Sequence, residues 1–441
     1  MNRAVANPRS IDALFVIESL RSGIPTRRST RELPDLRQEI SERIQHDLEQ
    51  FEQDQYPPGR ILWGQYGQGK THALAAIEHQ ALDHNFAVSR ITLSREISCH
   101  NLMDFYSEAA GKLRTPDSNI DGLARYLDRL GLDNVRRSVI FQPDRYVHNL
   151  PVLCLEAYLL AAGENREKLY ADLMGTRLPA SEFRSIYRQV CGERLPALRF
   201  RIHEHAYAYV SMMADLIQLC GFEGWVILID EAELIGRLGR ISRMRAYQNL
   251  GWLLGWASGS KPGAIYTIAA AASRLQDDLW YGGRYVDRDN MPPLAAERAG
   301  AEGAHEAEHD MRVFFKRAIS RDSLVATPAK HSALVALLQE ITRLHGIAYG
   351  WEADFDVERL LKHLGAQPVR TYIRATLEHL DLEMLYHEDS LPEAGVLAEH
   401  VLGSDGTDDG GDGAAAAPEG DDEAQGAEPD SADEEFGWSQ F

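Results

Sequence analysis

The chain has 441 residues, 44% hydrophobic and 26% charged, enough for a sizeable core and more than one domain, which excludes a wholly disordered chain. Of its net charge of −21, thirteen acidic residues and no Lys or Arg fall in 401–441, so the body carries only eight net negative charges and neither demands nor excludes a nucleic-acid partner. Four scattered cysteines without a CxxC pair argue against a zinc finger or a disulfide framework, and no apolar run reaches membrane-spanning length; a reduced, cytoplasmic protein without membrane or export segment is expected.

An amphipathic helix is predicted over Ser10 to Arg21, capped by Ser10, with Ile11, Leu14, Phe15, Ile17 and Leu20 on its apolar face. Gly23 and Pro25 end it. A charged helix from Leu33 to Gln53 runs into the turn cluster Tyr56-Pro57-Pro58-Gly59. Arg60 to Trp63 then reads as a short strand, Lys70 to Asp83 as a helix and Phe86 to Leu93 as a second buried strand. Ser94 to Asp215 is mostly helical, and Leu153, Leu155, Leu159 and Leu160 need partners to pack on. Strands follow at Trp225 to Ile229 and Ala264 to Ala272, separated by a helix over Ala246 to Trp256. This alternation predicts an α/β fold, a parallel sheet with helices on both faces. Asp278 to Asp310, polar and rich in Gly, Arg and Ala, reads as a long loop. A last short strand at Ser323 to Thr327 precedes a helical set from Pro328 to Leu385. Beyond Leu402 the Gly, Asp, Ala and Glu composition buries too little apolar surface to offset ordering entropy, so a disordered tail is expected.

Between the first strand and its helix stands Gly64-Gln65-Tyr66-Gly67-Gln68-Gly69-Lys70-Thr71, which fits G-x-x-x-x-G-K-[ST] at every fixed position. The glycines let backbone N–H groups curl around a phosphate, and the helix N-terminus adds a favourable partial charge. Lys70 is then expected to reach the β- and γ-phosphates, and the Thr71 hydroxyl to help hold Mg²⁺. A chance glycine-rich turn is the alternative. The strand Trp225 to Ile229 delivers Asp230-Glu231 to the carboxyl edge of the sheet, where ligands bind in open α/β folds. Asp230 is placed for Mg²⁺ and Glu231 for polarising a water, unless the pair is only a solvated acidic turn. Ser273, at the tip of the strand expected between the two motif strands, either senses the γ-phosphate or merely ends its strand.

These residues resemble the AAA+ and related P-loop NTPases, most like the origin-recognition and loader branch. More narrowly GQYGQGKTH, LIDEAELI followed by SRMRAYQNL, and LRSGIPTR are similar to the ATP-binding protein family of bacteriophage-exclusion (BREX) defence loci, the BrxD type. The similarity runs from Ile11 to about Asp381 and omits the tail. Together with the patterns above, it implies an AAA+-like core at 59–327 with a helical insertion at about 94–215 and a C-terminal helical lid at 328–402, between a helical segment at 1–58 and the acidic tail at 403–441. It also implies ATP and Mg²⁺ as cofactors, with Tyr66 and His72 joining Gly64 to Thr71 around the nucleotide. Arg317 or Arg321, before the last strand, stands where such ATPases carry an arginine reaching a neighbouring subunit's ATP. Arg370 occupies the place of a lid sensor, with Arg374 one turn on; a plain salt bridge is the alternative for each arginine. Thr71 and Val226 are 155 positions apart, too far for a minimal core, which leaves the insertion as a partner surface or a scaffold.

The resemblance further implies ATP turnover coupled to DNA or a DNA-processing partner, other defence proteins such as a helicase, and a homo-oligomer. Arg237, Arg240, Arg243 and Arg245 would touch DNA phosphates, serve a subunit interface, or be a solvated turn. The arginine-rich stretch Ser22 to Arg43, offset by Glu32, Asp35, Glu39 and Glu42, is a candidate to cover the adenine. Phe436, Trp438 and Phe441 would make the tail a docking peptide or a competitor for DNA; otherwise it is solubilising. The competing function is a nucleotide-gated switch or scaffold with slow hydrolysis. A small-molecule phosphotransferase fits less well, since an adjacent Asp-Glu pair positions water better than an acceptor substrate.

Overall fold

Short runs rich in apolar residues set the four longer strands, and the helices that alternate with them give the crossovers that parallel pairing needs. The structure, a computed structural model, describes residues 8–23, 26–117, 123–195, 202–258, 263–282, 286–320 and 323–386. Helices α1 (Pro8–Ser22), α2 (Arg27–Glu32) and α3 (Gln38–Phe51) precede strand β1 (Arg60–Gly64), helix α4 (Lys70–Asp83) and strand β2 (Ala87–Thr92). The charged helix expected over 33–53 therefore begins later, at Gln38. Pro34 excludes helical conformation at Leu33, which caps α2 in an extended conformation, and α2 has its own capping box from Thr26 and Ser29.

The next stretch holds α5 (Leu102–Gly111), the short strand β3 (Leu113–Arg114) and helices α6 (Ala124–Leu127), α7 (Leu132–Arg137), α8 (Leu150–Leu160), α9 (Gly163–Leu173), α10 (Ala180–Cys191) and α11 (Ile202–Leu219). Leu155 is fully buried there and Leu153 and Leu159 half-buried, while Leu160 stays exposed. After β4 (Trp225–Asp230) come α12 (Arg240–Leu253), β5 (Ile265–Ala272), α13 (Asp287–Ala318), β6 (Leu324–Val325), α14 (His331–Tyr349), α15 (Val357–Leu364) and α16 (Val369–Tyr386).

The long loop read at 278–310 is overturned: most of it is helix α13, interrupted only by the non-helical Gly300. Scattered glycines and charges disguised a segment rich in Ala, Glu and Arg, strong helix formers, with Met291, Leu294, Ala295, Met311 and Phe314 buried.

Among the described residues the sheet has six strands in the order β3-β2-β4-β5-β1-β6, parallel throughout except that β3 runs antiparallel to β2 at the edge. Strand β5 lies between β1 and β4, with Gly64 level with Ala272 and Ile229 with Ala269. The chain divides into two compact units. One takes the described residues of Glu39–Tyr66 and Ile77–Ala326 and has the sheet at its centre. Its core joins the sheet to the insertion helices, as where Tyr106 packs edge-on against Trp225. The start of β1 is anchored by a buried ion pair, Arg60 Nη2 to Asp47 Oδ1 at 2.8 Å, and Tyr266 donates to the same carboxylate at 2.5 Å. The other unit takes the described residues of Met1–Gln38, Gly67–Ala76 and Thr327–Ala432. There Val16 and Ile17 of α1 pack with Leu338 and Ile341 of α14 and Ala375 of α16.

Candidate functional site

Parallel register delivers the carboxyl ends of β1, β5 and β4 to one edge of the sheet unit. The Ser273 amide, just past β5, donates to the Gly64 carbonyl at 3.2 Å. On the other side of β5, the Ala272 amide donates to Glu233 Oε2 at 2.9 Å, tying its end to the turn that follows β4. Gly64, Asp230 and Ser273 are thus brought to the same edge, as the strand pattern requires.

Asp230 closes β4 with 3% of its surface exposed. Its Oδ1 accepts the Glu231 amide at 3.1 Å, and its Oδ2 lies 3.6 Å from Nη2 of Arg90 on β2. Arg90 also faces Glu78 at 3.9 Å, and Arg114 meets Glu78 at 2.9 Å, so a chain of alternating charge leads to the buried carboxylate. A buried carboxylate needs such compensation, because desolvation costs several kcal/mol (about 3–5 when a partner is lost). Glu231 has a left-handed backbone, φ 58° and ψ 34°. A residue with a Cβ pays steric strain of roughly 1–2 kcal/mol there, and such strain persists where it serves a site. It turns the chain sharply at the end of β4.

The second unit holds the tip of the glycine-rich loop. Gly67 and Gly69 both have φ near +76°, a left-handed backbone that glycine adopts without strain and that curls the loop. Lys70, the first residue of α4, is buried, whereas Thr71 is exposed and His72 half-buried. A Cβ at Gly67 would touch Pro368 at 3.5 Å, and one at Gly69 would stand 3.7 Å from Arg37 Nη2. Arg37 donates to the carbonyl of Gln68. Arg370, the second residue of α16, lays its guanidinium against Gly23, where a Cβ would come within 2.7 Å of Nη2. The short sequence LRSGIPTR thereby gains a physical reading: its glycine makes room for Arg370. Gly67, Gln68, Gly69, Lys70, Thr71, His72 and Arg370 are brought into one compact unit.

Other singled-out residues fall elsewhere. Arg317, next to last in α13, is half-buried, without an ion pair among the described residues; Arg321 and the acidic tail with its three aromatics lie outside the described residues. Gln65 and Tyr66 are exposed, Tyr66 at 75%. The arginine cluster does not act as one surface. Arg243 is taken by Asp287 at 2.7 and 3.0 Å, with Tyr247 donating to the same carboxylate at 3.0 Å. Arg245 stands near His100, which burial first and then the Arg245 charge hold below the usual histidine range. Arg237 and Arg240 are exposed and make no ion pair among the described residues.

Sequence reasoning missed Arg90 and did not single out Arg37. Arg90 is the one charged residue in β2, which is a readable signal. Arg37 sits 27 positions before Gly64, with no motif to single it out.

The donor set fits Mg²⁺ held partly by a nucleotide. Among the described residues no group of three His, Cys, Asp or Glu converges on a point. Mg²⁺ takes one or two protein ligands and completes its shell with phosphates and water, so a lone buried carboxylate such as Asp230 suits it better than it would suit a dedicated protein cage. No helix among the described residues is long and apolar enough to cross a membrane. A family model described as BREX system ATP-binding protein BrxC/D matches residues 9–143 and 198–280, covering α1, the glycine-rich loop, β4 with Asp230-Glu231, and β5. The interval it skips carries insertion helices. Comparison with curated proteins returns no match. The chain belongs to the BREX system ATP-binding protein BrxC/D family.

Proposed function

We propose that this member of the family is an AAA+-like, Mg²⁺-dependent ATPase that couples turnover to DNA or to a DNA-processing partner of the defence system. What carries the reading is the strand order: β5 separates β1 from β4, and parallel register gathers Gly64, Asp230-Glu231 and Ser273 at one edge. In this reading the amides of Gly64 to Thr71 and the Lys70 ammonium hold the polyphosphate, with Gln65, Tyr66 and His72 lining the loop. The Thr71 hydroxyl and the Asp230 carboxylate would hold Mg²⁺, which would supply neutralisation of phosphate charge. Glu231 takes a proton from the attacking water, and Ser273 reads the γ-phosphate. Arg317 or Arg321 supplies a cation to a neighbouring copy in a homo-oligomer, and Arg370 answers the nucleotide from the C-terminal helices. Exposed Arg237 and Arg240 offer two cations for a phosphate backbone.

A second reading, a nucleotide-gated switch with slow hydrolysis, is favoured by one observation. The loop tip lies beside Pro368, two residues before Arg370, where a Cβ on Gly67 would meet the proline ring at 3.5 Å, so occupancy would bias the C-terminal helices directly. Turnover titrated with single- and double-stranded DNA, alongside mass in solution, separates the two. Strong stimulation supports the motor; slow, unstimulated turnover with ATP-dependent partner capture supports the switch. Lys70→Ala is expected to abolish ATP binding, and Glu231→Gln to bind ATP without hydrolysing it. Parent-like turnover by Glu231→Gln would remove Glu231 as the base.

A further inference from the structure

We infer that Arg37 is a nucleotide-binding residue whose guanidinium completes the phosphate site from the N-terminal segment. The inference rests on the glycine-rich loop being a phosphate loop. Arg37 precedes α3, and its place is set by a local turn in which its amide donates to Asp35 Oδ1 at 2.8 Å. Its side chain is half-buried and donates to the carbonyl of Gln68, inside the loop itself. Nη2 stands 3.7 Å from where a Cβ on Gly69 would be, an ordinary contact distance that places the guanidinium directly beside the loop backbone. Its Nε is buried and makes no hydrogen bond among the described residues.

This is an uncomfortable place for a cation. A guanidinium has five N–H donors in a planar fork suited to carboxylate or phosphate. Here one goes to a neutral carbonyl and no carboxylate makes an ion pair with it among the described residues; Asp35 acts only at a distance. Burial accordingly holds the group below the usual arginine range, with Asp35 only partly opposing it. A buried charge is kept where a counter-charge arrives, and the loop beside it is shaped for the polyphosphate of a nucleotide. Arg37 thus joins the N-terminal segment to nucleotide occupancy, through the phosphates and not the base.

The test compares binding of AMP, ADP and ATP, each with Mg²⁺, to the full chain and to Arg37→Ala, Arg37→Lys and Lys70→Ala. Arg37→Ala is expected to weaken ADP and ATP by roughly 10- to 100-fold and leave AMP unchanged, and to flatten the salt dependence of ATP binding. Arg37→Lys, which keeps the charge but not the fork, is expected to recover only part. Thermal melting without nucleotide checks that the variants are folded. Equal losses for AMP and ATP overturn the phosphate assignment. Unchanged ATP affinity in Arg37→Ala, with binding abolished in Lys70→Ala, overturns this inference alone. Unchanged affinity in both variants overturns the phosphate loop as well.

Discussion

Arg90 of β2 holds its guanidinium 3.6 Å from the carboxylate of Asp230 at the end of the neighbouring strand β4. The Asp230 side chain is 5% exposed and the Arg90 side chain 24%, so this pair is largely shielded from solvent screening. Arg90→Met leaves a buried carboxylate short of its cation and is expected to cost about 1–3 kcal/mol. Asp230→Asn in the same background is expected to recover much of that loss, because the uncompensated charge goes with it. Urea melts of the two singles and the double form the cycle; a coupling near zero means the pair is not what steadies Asp230.

Glu231 predicts a trade between stability and activity. Its left-handed backbone is uncommon for glutamate and well tolerated by asparagine. Glu231→Asn is therefore expected to stabilise the fold by roughly 0.5–1 kcal/mol while ending hydrolysis. Glu231→Gln keeps the strain and is expected to melt like the parent. Equal melting temperatures for the Asn and Gln variants would argue against stored strain at this position.

Gly23 and Arg370 give a prediction in the other unit. With φ at +69° and only 2.7 Å between a would-be Cβ and Arg370 Nη2, Gly23→Ala both strains the backbone and displaces the guanidinium. A loss of about 1–2 kcal/mol follows from the backbone alone. If Arg370 answers the nucleotide as proposed, Gly23→Ala and Arg370→Ala should weaken ATP binding to similar extents; a normal ATP affinity in Gly23→Ala would separate the packing from the role.

His345 makes the same unit sensitive to acid. It is fully buried; its Nδ1 accepts Trp351 Nε1 at 3.0 Å, which leaves Nε2 as the donor to Asp381 Oδ1 at 3.1 Å. Burial lowers its pKa, opposed in part by Asp381 and reinforced by the nearby Arg21. A histidine lowered on folding binds fewer protons in the native state than in the unfolded chain, so stability rises with pH across the interval. Its contribution is complete above the unfolded value of about 6.5 and is lost as pH falls toward the lower folded value. His345→Gln is expected to flatten the melting temperature as pH falls below about 6.5; the parent's slope surviving in the variant would place the titration elsewhere. Asp381 works at a lower range. Burial alone would raise its pKa, but the hydrogen bonds from Arg21 and His345 outweigh this and lower it, so its contribution is kept until more acid pH.

The local patterns settled much of this protein without tertiary help. Lys70 to Asp83 is a helix with the very bounds read from its pattern, and the strands at β1, β2, β4 and β5 fall within two residues of their expected ends, because apolar runs bounded by glycine and proline encode pairing locally. The glycine-rich loop and the Asp230-Glu231 pair were equally legible, since each depends on residues adjacent in the chain. The helix over 287–318 was hidden because its apolar positions are spread among charges and glycines and are recognisable only by what they bury. Charge pairing was hidden for a different reason. Arg243 looks like its neighbours Arg240 and Arg245 until α13 brings Asp287 to it, and Arg90 and Asp230 are 140 positions apart. Arg37 and Gln68 meet only because the chain between them leaves and returns. Spacing determines which residues share a loop or a strand end, whereas the counter-ion of a charge depends on distance in space, which only the folded chain supplies.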